Sequence, residues 1–403
     1  MTLTTSPGAH SDTGHRRPLN PHDFIDIEAF LSDDERLIRD TVRQFVRREL
    51  LDKITDAYTA GHLPEGFRAA AGELGLLGMH LTGYGCAGTS AVAYGLACLE
   101  LEAGDSGLRS FVSVQGSLAM FAIWRFGSEE QKQQWLPRLA KGTAVGCFGL
   151  TEPDSGSDPG SMTTNARIEQ GRWLLNGVKM WITNGGIADV AVVWAKTPDG
   201  IRGFVVPCDT PGFSTRNVPS KLSLRASTTS ELILQDVSLP AEAVLPEADG
   251  LRAPLACLDE ARYGIVWGAV GAGRAAFEAG LEYARTRVQF GRPIAGFQLT
   301  QEKLVNMATK VNTSLLLALH LGRLKDSGQL HPQQVSLGKR HNVSAALEVT
   351  REARTILGAN GITSEYPVMR HMANLESVLT YEGTAEIHTL VVGQALTGLS
   401  AFR

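Results

Sequence analysis

Cysteine is scarce in this chain. The five present, Cys86, Cys98, Cys147, Cys208 and Cys257, form no CxxC and show no metal-like spacing against the ten scattered histidines. This argues against a disulfide scaffold or a zinc site and fits a reducing compartment, the cytoplasm. Charge of one sign is also lacking. The formal net charge is −4 and no lysine or arginine run stands out, so neither nucleic acid nor an anionic membrane surface is an expected partner. No uninterrupted apolar run is long enough to span a bilayer, so membrane insertion is not expected. Residues 1–25, "MTLTTSPGAHSDTGHRRPLNPHDFI", have no apolar run for secretion, and Asp12 with the prolines spoils an amphipathic transit helix. They read as a flexible tail.

What is present is an ordinary soluble balance, 43% hydrophobic and 20% charged residues. At 403 residues the chain exceeds what one core usually serves, so two or three domains are expected. In "LSDDERLIRDTVRQFVRREL" the residues Leu37, Ile38, Val42, Phe45, Val46 and Leu50 fall at helical spacing behind Ser32, a plausible cap. Helical patterns continue to "SEEQKQQWLPRLAKG". At about residue 147 the texture changes to "CFGLTEPDSGSDPGSM" and then to short segments rich in Val, Ile and Trp, such as "RWLLNGVKMWIT" and "ADVAVVWAKT", which read as a small sheet or barrel. Helices return after "PEADGLRAPL". The expected organisation is α+β: a tail (1–25), an N-terminal helical domain (26–146), a middle β-barrel domain (147–252) and a C-terminal helical bundle (253–403).

The motifs "FGLTEPDSGSDP", "WITN", "DEARYG", "RVQFGRPIAGFQ", "LGANGI" and "YEGT" occur in this order. Together they resemble the acyl-CoA dehydrogenase family from about residue 30 onward. The most detailed match is to its glutaryl-CoA branch, through "GYGCAG", "GDSGLRS" and "TYEGT". The resemblance implies FAD as cofactor, an acyl-CoA as substrate, electron-transfer flavoprotein as electron acceptor and a homotetramer as the assembly.

Taken alone, each motif has a plainer reading. "FGLTEPDSGSDP" is a loop of short side chains whose amides and hydroxyls could serve a polar ring or a phosphate; the resemblance assigns Phe148, Leu150, Thr151 and Ser157 to the flavin, and Ser157 also to the substrate. "MWITN" is a strand end on which Trp181 and Thr183, two apart, share a face; by resemblance they meet the flavin ring. Arg287, Phe290 and Gln298 follow a helix, where a surface arginine and a buried phenylalanine are the plain expectation. By resemblance they contact a flavin held mostly by a neighbouring subunit, with Thr355, Gly358, Ala359 and Thr384 completing the cofactor site. Thr355 and Ala359 stand where the family often has glutamine and glycine.

Glu382 on its own is a turn residue between two helices. By resemblance it is the base that takes the α-proton, since Ala261 occupies the alternative position for a base and Glu260 points about 100° away on its helix. Desolvation beside Tyr381 would raise its pKa. The backbone N–H of Glu382 would polarise the thioester carbonyl, Gly383 would line the substrate, and Asp259 and Arg262 would support these groups or contact coenzyme A. Glu102 and Arg109, seven apart and so on one helical face, are either a surface pair of small worth or, with Ser110 and Ser113, the polar floor of an acyl pocket. The resemblance favours the floor, with Arg109 on the free carboxylate of a glutaryl chain, and implies oxidation followed by loss of CO2 to give crotonyl-CoA. Another short acyl-CoA, a dehydrogenase that stops at glutaconyl-CoA, and a non-catalytic flavin-holding protein remain as alternatives.

Overall fold

Ser32 starts the first helix in both of the ways a capping box allows: its hydroxyl accepts from the Glu35 amide, and the Glu35 carboxylate accepts from the Ser32 amide. The computed structural model describes residues 19–402, so the first 18 residues of the expected tail lie outside the described residues. The N-terminal helices are α1 (Asp33–Phe45), α2 (Leu51–Ala60), α3 (Phe67–Glu73), α4 (Ala91–Gly104), α5 (Ser106–Ser113), α6 (Phe121–Phe126) and α7 (Glu129–Ala140). A π-helical stretch, Val114–Met120, joins α5 to α6. Nearly every residue of α4 is buried, which explains why its sequence is apolar all round rather than striped.

The middle of the chain carries strands β1 (Gly146–Gly149), β2 (Asn165–Glu169), β3 (Arg172–Thr183), β4 (Val190–Thr197), β5 (Gly200–Pro207), β6 (Phe213–Asn217) and β7 (Thr229–Leu239). They pair in the order β1-β4-β2-β3-β7-β6, with β5 also on β4. This is a curled, half-closed barrel whose β6 end stays open. The Asn176-Gly177 pair, a turn signal in sequence, lies instead at a register shift inside β3. β1, β2 and β6 are too short or too polar to show a strand period in sequence.

The C-terminal part consists of α8 (Arg252–Thr286), the hairpin β8 (Val288–Gln289) and β9 (Arg292–Pro293), α9 (Gln298–Asp326), α10 (Pro332–Leu357), α11 (Val368–Thr380) and α12 (Ala385–Thr397). One apolar core joins α1, α2 and α4 to α8, α9 and α10. A second joins α6, α7 and the β1-β4 face to the start of α8 through Phe148, Trp194, Cys257 and Ala261. Helices α4 and α8 approach so closely that a Cβ on Gly268 would stand 2.0 Å from a Glu102 carboxylate oxygen. That contact fixes the floor of the site. None of the described helices is long and apolar enough to cross a membrane.

Candidate active site

The floor begins at a helix break. Asp105 is extended (φ −165°, ψ 144°) and separates α4 from α5, accepting from the Gly107 amide at 2.7 Å. Glu102 and Arg109 therefore sit on different helices, and their seven-residue spacing is not one helical face. Nor is the pair at the surface: both side chains have zero exposure, with Arg109 Nε donating to Glu102 Oε2 at 2.6 Å. Ser106 Oγ donates to the other Glu102 oxygen at 2.8 Å, and Arg109 Nη2 donates to the Tyr381 hydroxyl. Two nitrogens of Arg109 and the Ser106 hydroxyl are thus committed to Glu102 and Tyr381. Among the described residues, Arg109 Nη1, Ser110 Oγ and Ser113 Oγ are all buried without a hydrogen-bond partner.

Glu382 reaches this floor from the turn between α11 and α12. Its backbone is left-handed (φ 54°), as is Gly383 (φ 94°). A non-glycine residue held there costs roughly 1–2 kcal/mol, and the structure around it must hold it. Arg262 Nε donates to the Glu382 carbonyl at 2.8 Å, while its Nη1 pairs with Asp259 Oδ1 at 2.8 Å. The Glu382 Oε2 atom is shielded from solvent and unpartnered. Burial raises the Glu382 pKa above its ordinary 4.5, against the opposing pull of the Arg109, Lys339 and Arg262 cations. A carboxyl of raised pKa is a stronger base toward a carbon acid.

The alternative positions for a base are spent. Ala261 is fully buried, and Glu260 is paired with Lys325 at 2.6 Å. Thr384 caps α12 by accepting from the Ile387 amide.

The proposed flavin side lies at the sheet. Phe148 and Leu150 are buried, and Thr151 is half-buried. The Leu150–Glu152 segment is tied to β3, since Lys179 Nζ donates to the Leu150 carbonyl and to Glu152, and the Met180 amide donates to Thr151. Glu152 also accepts from both Thr163 and Thr164 amides. Although burial alone would raise its pKa, these donors hold it down at about 2. Just beyond, Trp181 departs from the simple alternation expected of a strand: it is left-handed (φ 64°) within a register shift between Lys179 and Ile182. The bulge turns its ring outward, 58% exposed, close in sequence to the Thr183 hydroxyl. Ser157 is exposed on the loop.

Arg287 ends α8 and is exposed, as are Gln298, Thr355, Gly358 and Ala359. Phe290 is not the buried residue that its type suggests: it is left-handed and 96% exposed at the tip of the β8-β9 hairpin. Asn360 donates to the Tyr283 hydroxyl at 3.0 Å, which links the 358–362 turn to the end of α8. Arg287 and Glu382 are thus parts of two separate regions within one chain.

Three comparisons fit this geometry. The chain matches the acyl-CoA dehydrogenase N-terminal domain over residues 32–143, the middle domain over 147–237 and the C-terminal domain over 248–397. The chain belongs to the acyl-CoA dehydrogenase family. It is 37% identical to an acyl-CoA dehydrogenase of Bacillus subtilis, covering 91% of this chain and 99% of that one. A crystal structure of glutaryl-CoA dehydrogenase from Mycobacterium smegmatis superposes with a TM-score of 0.94 at 64% identity, covering 96% of this chain and 100% of that one. A second from the same organism, in complex with FADH2, has a TM-score of 0.94 at 59% identity over 95% and 99% of the two chains.

Sequence reasoning missed two buried groups of this acyl-CoA dehydrogenase site. Lys339, on α10, donates to the carbonyls of Tyr381 and Gly383. The available signal was its place on the apolar stripe between Val335 and Val343, where a lysine needs partners. His388 lies against Gly383 with neither ring nitrogen bonded, and burial, with Lys339 and Arg262 nearby, lowers its pKa to about 3. No motif marked it.

Proposed function

We propose that this acyl-CoA dehydrogenase oxidises glutaryl-CoA, with FAD as cofactor, and releases crotonyl-CoA and CO2. The observation that carries the substrate is the trio Arg109 Nη1, Ser110 Oγ and Ser113 Oγ, buried and unpartnered at the floor. Buried donors without a partner are groups that a carboxylate can satisfy, and an apolar acyl tail would leave all of them unsatisfied. Glu102 neutralises one side of the guanidinium and Tyr381 occupies a second, so Nη1 is aimed by the pair.

The residues at the sheet fit a flavin. Trp181 offers an exposed aromatic face, and the hydroxyl residues Thr151 and Thr183 are half-buried with Ser157 exposed. Phe148 and Leu150 give an apolar wall. FAD, when bound, supplies the two-electron acceptor for the hydride that leaves the β-carbon. Arg287, Phe290, Gln298, Thr355, Gly358 and Ala359 are the residues we assign to the distal part of the cofactor, in a homotetramer where a neighbouring copy contributes. Electron-transfer flavoprotein is the proposed acceptor of the electrons.

Glu382 takes the α-proton, and the Glu382 amide donates to the thioester oxygen as charge develops there. Gly383 lines the thioester, and Asp259 holds Arg262 so that Arg262 can hold the Glu382 carbonyl. After oxidation, the distal carboxylate of the glutaconyl chain is vinylogous to the thioester. Its C–C bond can break with the electron pair delocalised into the carbonyl, and the γ-carbon then takes a proton, which Glu382 carries. Steady-state turnover on glutaryl-, butyryl- and pentanoyl-CoA, with assays for crotonyl-CoA and CO2, tests the reading. Preference for the uncharged chains removes glutaryl-CoA, and glutaconyl-CoA as end product removes the decarboxylation.

A further inference from the structure

Three successive carbonyls of the catalytic turn end on two cations. Lys339 Nζ donates to the carbonyls of Tyr381 and Gly383, the latter at 2.7 Å, and Arg262 Nε donates to that of Glu382 at 2.8 Å. The peptide between Tyr381 and Glu382 is planar and trans, so its N–H points opposite to its C=O. Holding the Tyr381 carbonyl on Lys339 therefore aims the Glu382 N–H away from Lys339. That N–H makes no hydrogen bond among the described residues. We propose that Lys339 is a positioning residue for the reaction: by gripping the carbonyls on both sides of Glu382 it holds the left-handed turn and directs the Glu382 amide at the thioester oxygen.

The chemistry of the lysine suits this task. Lys339 is 1% exposed on α10, and its ammonium stands 5.7 Å from the Tyr381 ring centroid. A rigid helix thus supplies the grip. Burial, together with Arg262 and Arg109, lowers its pKa to about 7, against the pull of Glu382. An uncharged donor would hold the turn less firmly. The ordinary alternative is that Lys339 only fills space between α10 and the turn, and a methyl-terminated chain of similar length would then serve.

The inference rests on reading Glu382 as the base and its amide as the oxyanion donor, and two measurements keep the failures apart. Hydrogen exchange in the FAD-bound protein reads the turn whatever the substrate. Lys339→Met should raise exchange in a peptide covering 380–388 and leave the remainder of α10 protected; unchanged exchange in that peptide overturns the proposal. Acetoacetyl-CoA, whose α-carbon is acidic, reads the donor. Its enolate should bind about 10²-fold more weakly to Lys339→Met, the size of a lost oxyanion donor, and nearly normally to Glu382→Gln, which keeps the N–H. Equal enolate binding by wild type and Lys339→Met overturns the proposal. A wild type that leaves the probe wholly in its keto form overturns the functional reading, while the exchange result still decides Lys339. If Lys339→Met does not accumulate as folded flavoprotein, Lys339→Leu, which likewise keeps no donor for either carbonyl, replaces it with the same outcomes.

Discussion

The acyl floor and the 287–299 segment are opposite kinds of surface. At the floor Glu102, Arg109, Ser110 and Ser113 are essentially without exposure, although all are polar. At the segment Val288, Phe290 and Leu299 are 52%, 96% and 74% exposed, although all are apolar. The first region is held within one chain, because the Arg109 and Glu102 charges are paired with each other. The second is an exposed apolar projection: Phe290 meets Phe297 edge-on, ring centroids 6.1 Å apart, and otherwise faces solvent, the kind of surface a partner covers. Chemistry and assembly should therefore fail separately when each is altered.

The largest expected break is at the base. Glu382→Gln fills the same space, keeps its amide and cannot take a proton, so flavin reduction by glutaryl-CoA should fall on the order of 10² to 10⁴ while bound colour persists. Near-normal reduction in rapid-mixing absorbance would remove Glu382 as the base. At the floor, Arg109→Ala strands both the substrate carboxylate and Glu102. Activity on glutaryl-CoA should drop by a factor of about 30 or more, from a cost of roughly 2–5 kcal/mol for a buried charge left alone. Loss of the Glu102 partner should also lower thermal stability. Combining Arg109→Met with Glu102→Gln removes both charges; stability should then recover and glutaryl-CoA activity should not. Parallel losses on pentanoyl-CoA would make the pair a support of the fold alone.

A smaller effect, and of the other kind, is expected at the segment. Phe290→Ser or Arg287→Ala should reduce FAD retention and shift the assembly toward smaller species in analytical ultracentrifugation, with the residual flavin-loaded protein still active. A full-sized, fully loaded assembly would make the segment an ordinary surface. The mildest test is pH. Since burial raises the Glu382 pKa, the base form is lost as pH falls through a value above 4.5, and the acid limb of kcat/KM should lie above the ordinary carboxylate range. Removing the nearby Lys339 cation should move that limb higher still. A limb at or below 4.5 would mean that the cations outweigh burial.

Much of this was legible because motifs are local. Ser32 and Glu35 spell a capping box, "TYEGT" marks the turn, and the strands of "ADVAVVWAKT" show in their β-branched residues. What was not legible depends on contacts far apart in the chain. Spacing suggested one helix face for Glu102 and Arg109, yet Asp105 breaks the helix because its buried carboxylate also accepts from Arg370 and Asn374, about 270 residues away. The period of a strand put Trp181 and Thr183 on one face, until a bulge turned Trp181 outward. Phe290 looks like a core residue by type and is a projecting tip in the fold.

Neighbours within a few residues fix the order of helices, strands and helices and the caps, while it was the family resemblance that singled out the carboxylate in the α11-α12 turn. Long-range packing set the rest: the Glu102–Arg109 pair is dry, Arg109 Nη1 has no hydrogen-bond partner among the described residues, and Lys339 and Arg262 grip the turn from α10 and α8. The reason is physical: burial, and with it the strength of a charge and the cost of leaving it unpaired, is set by which distant segments pack together.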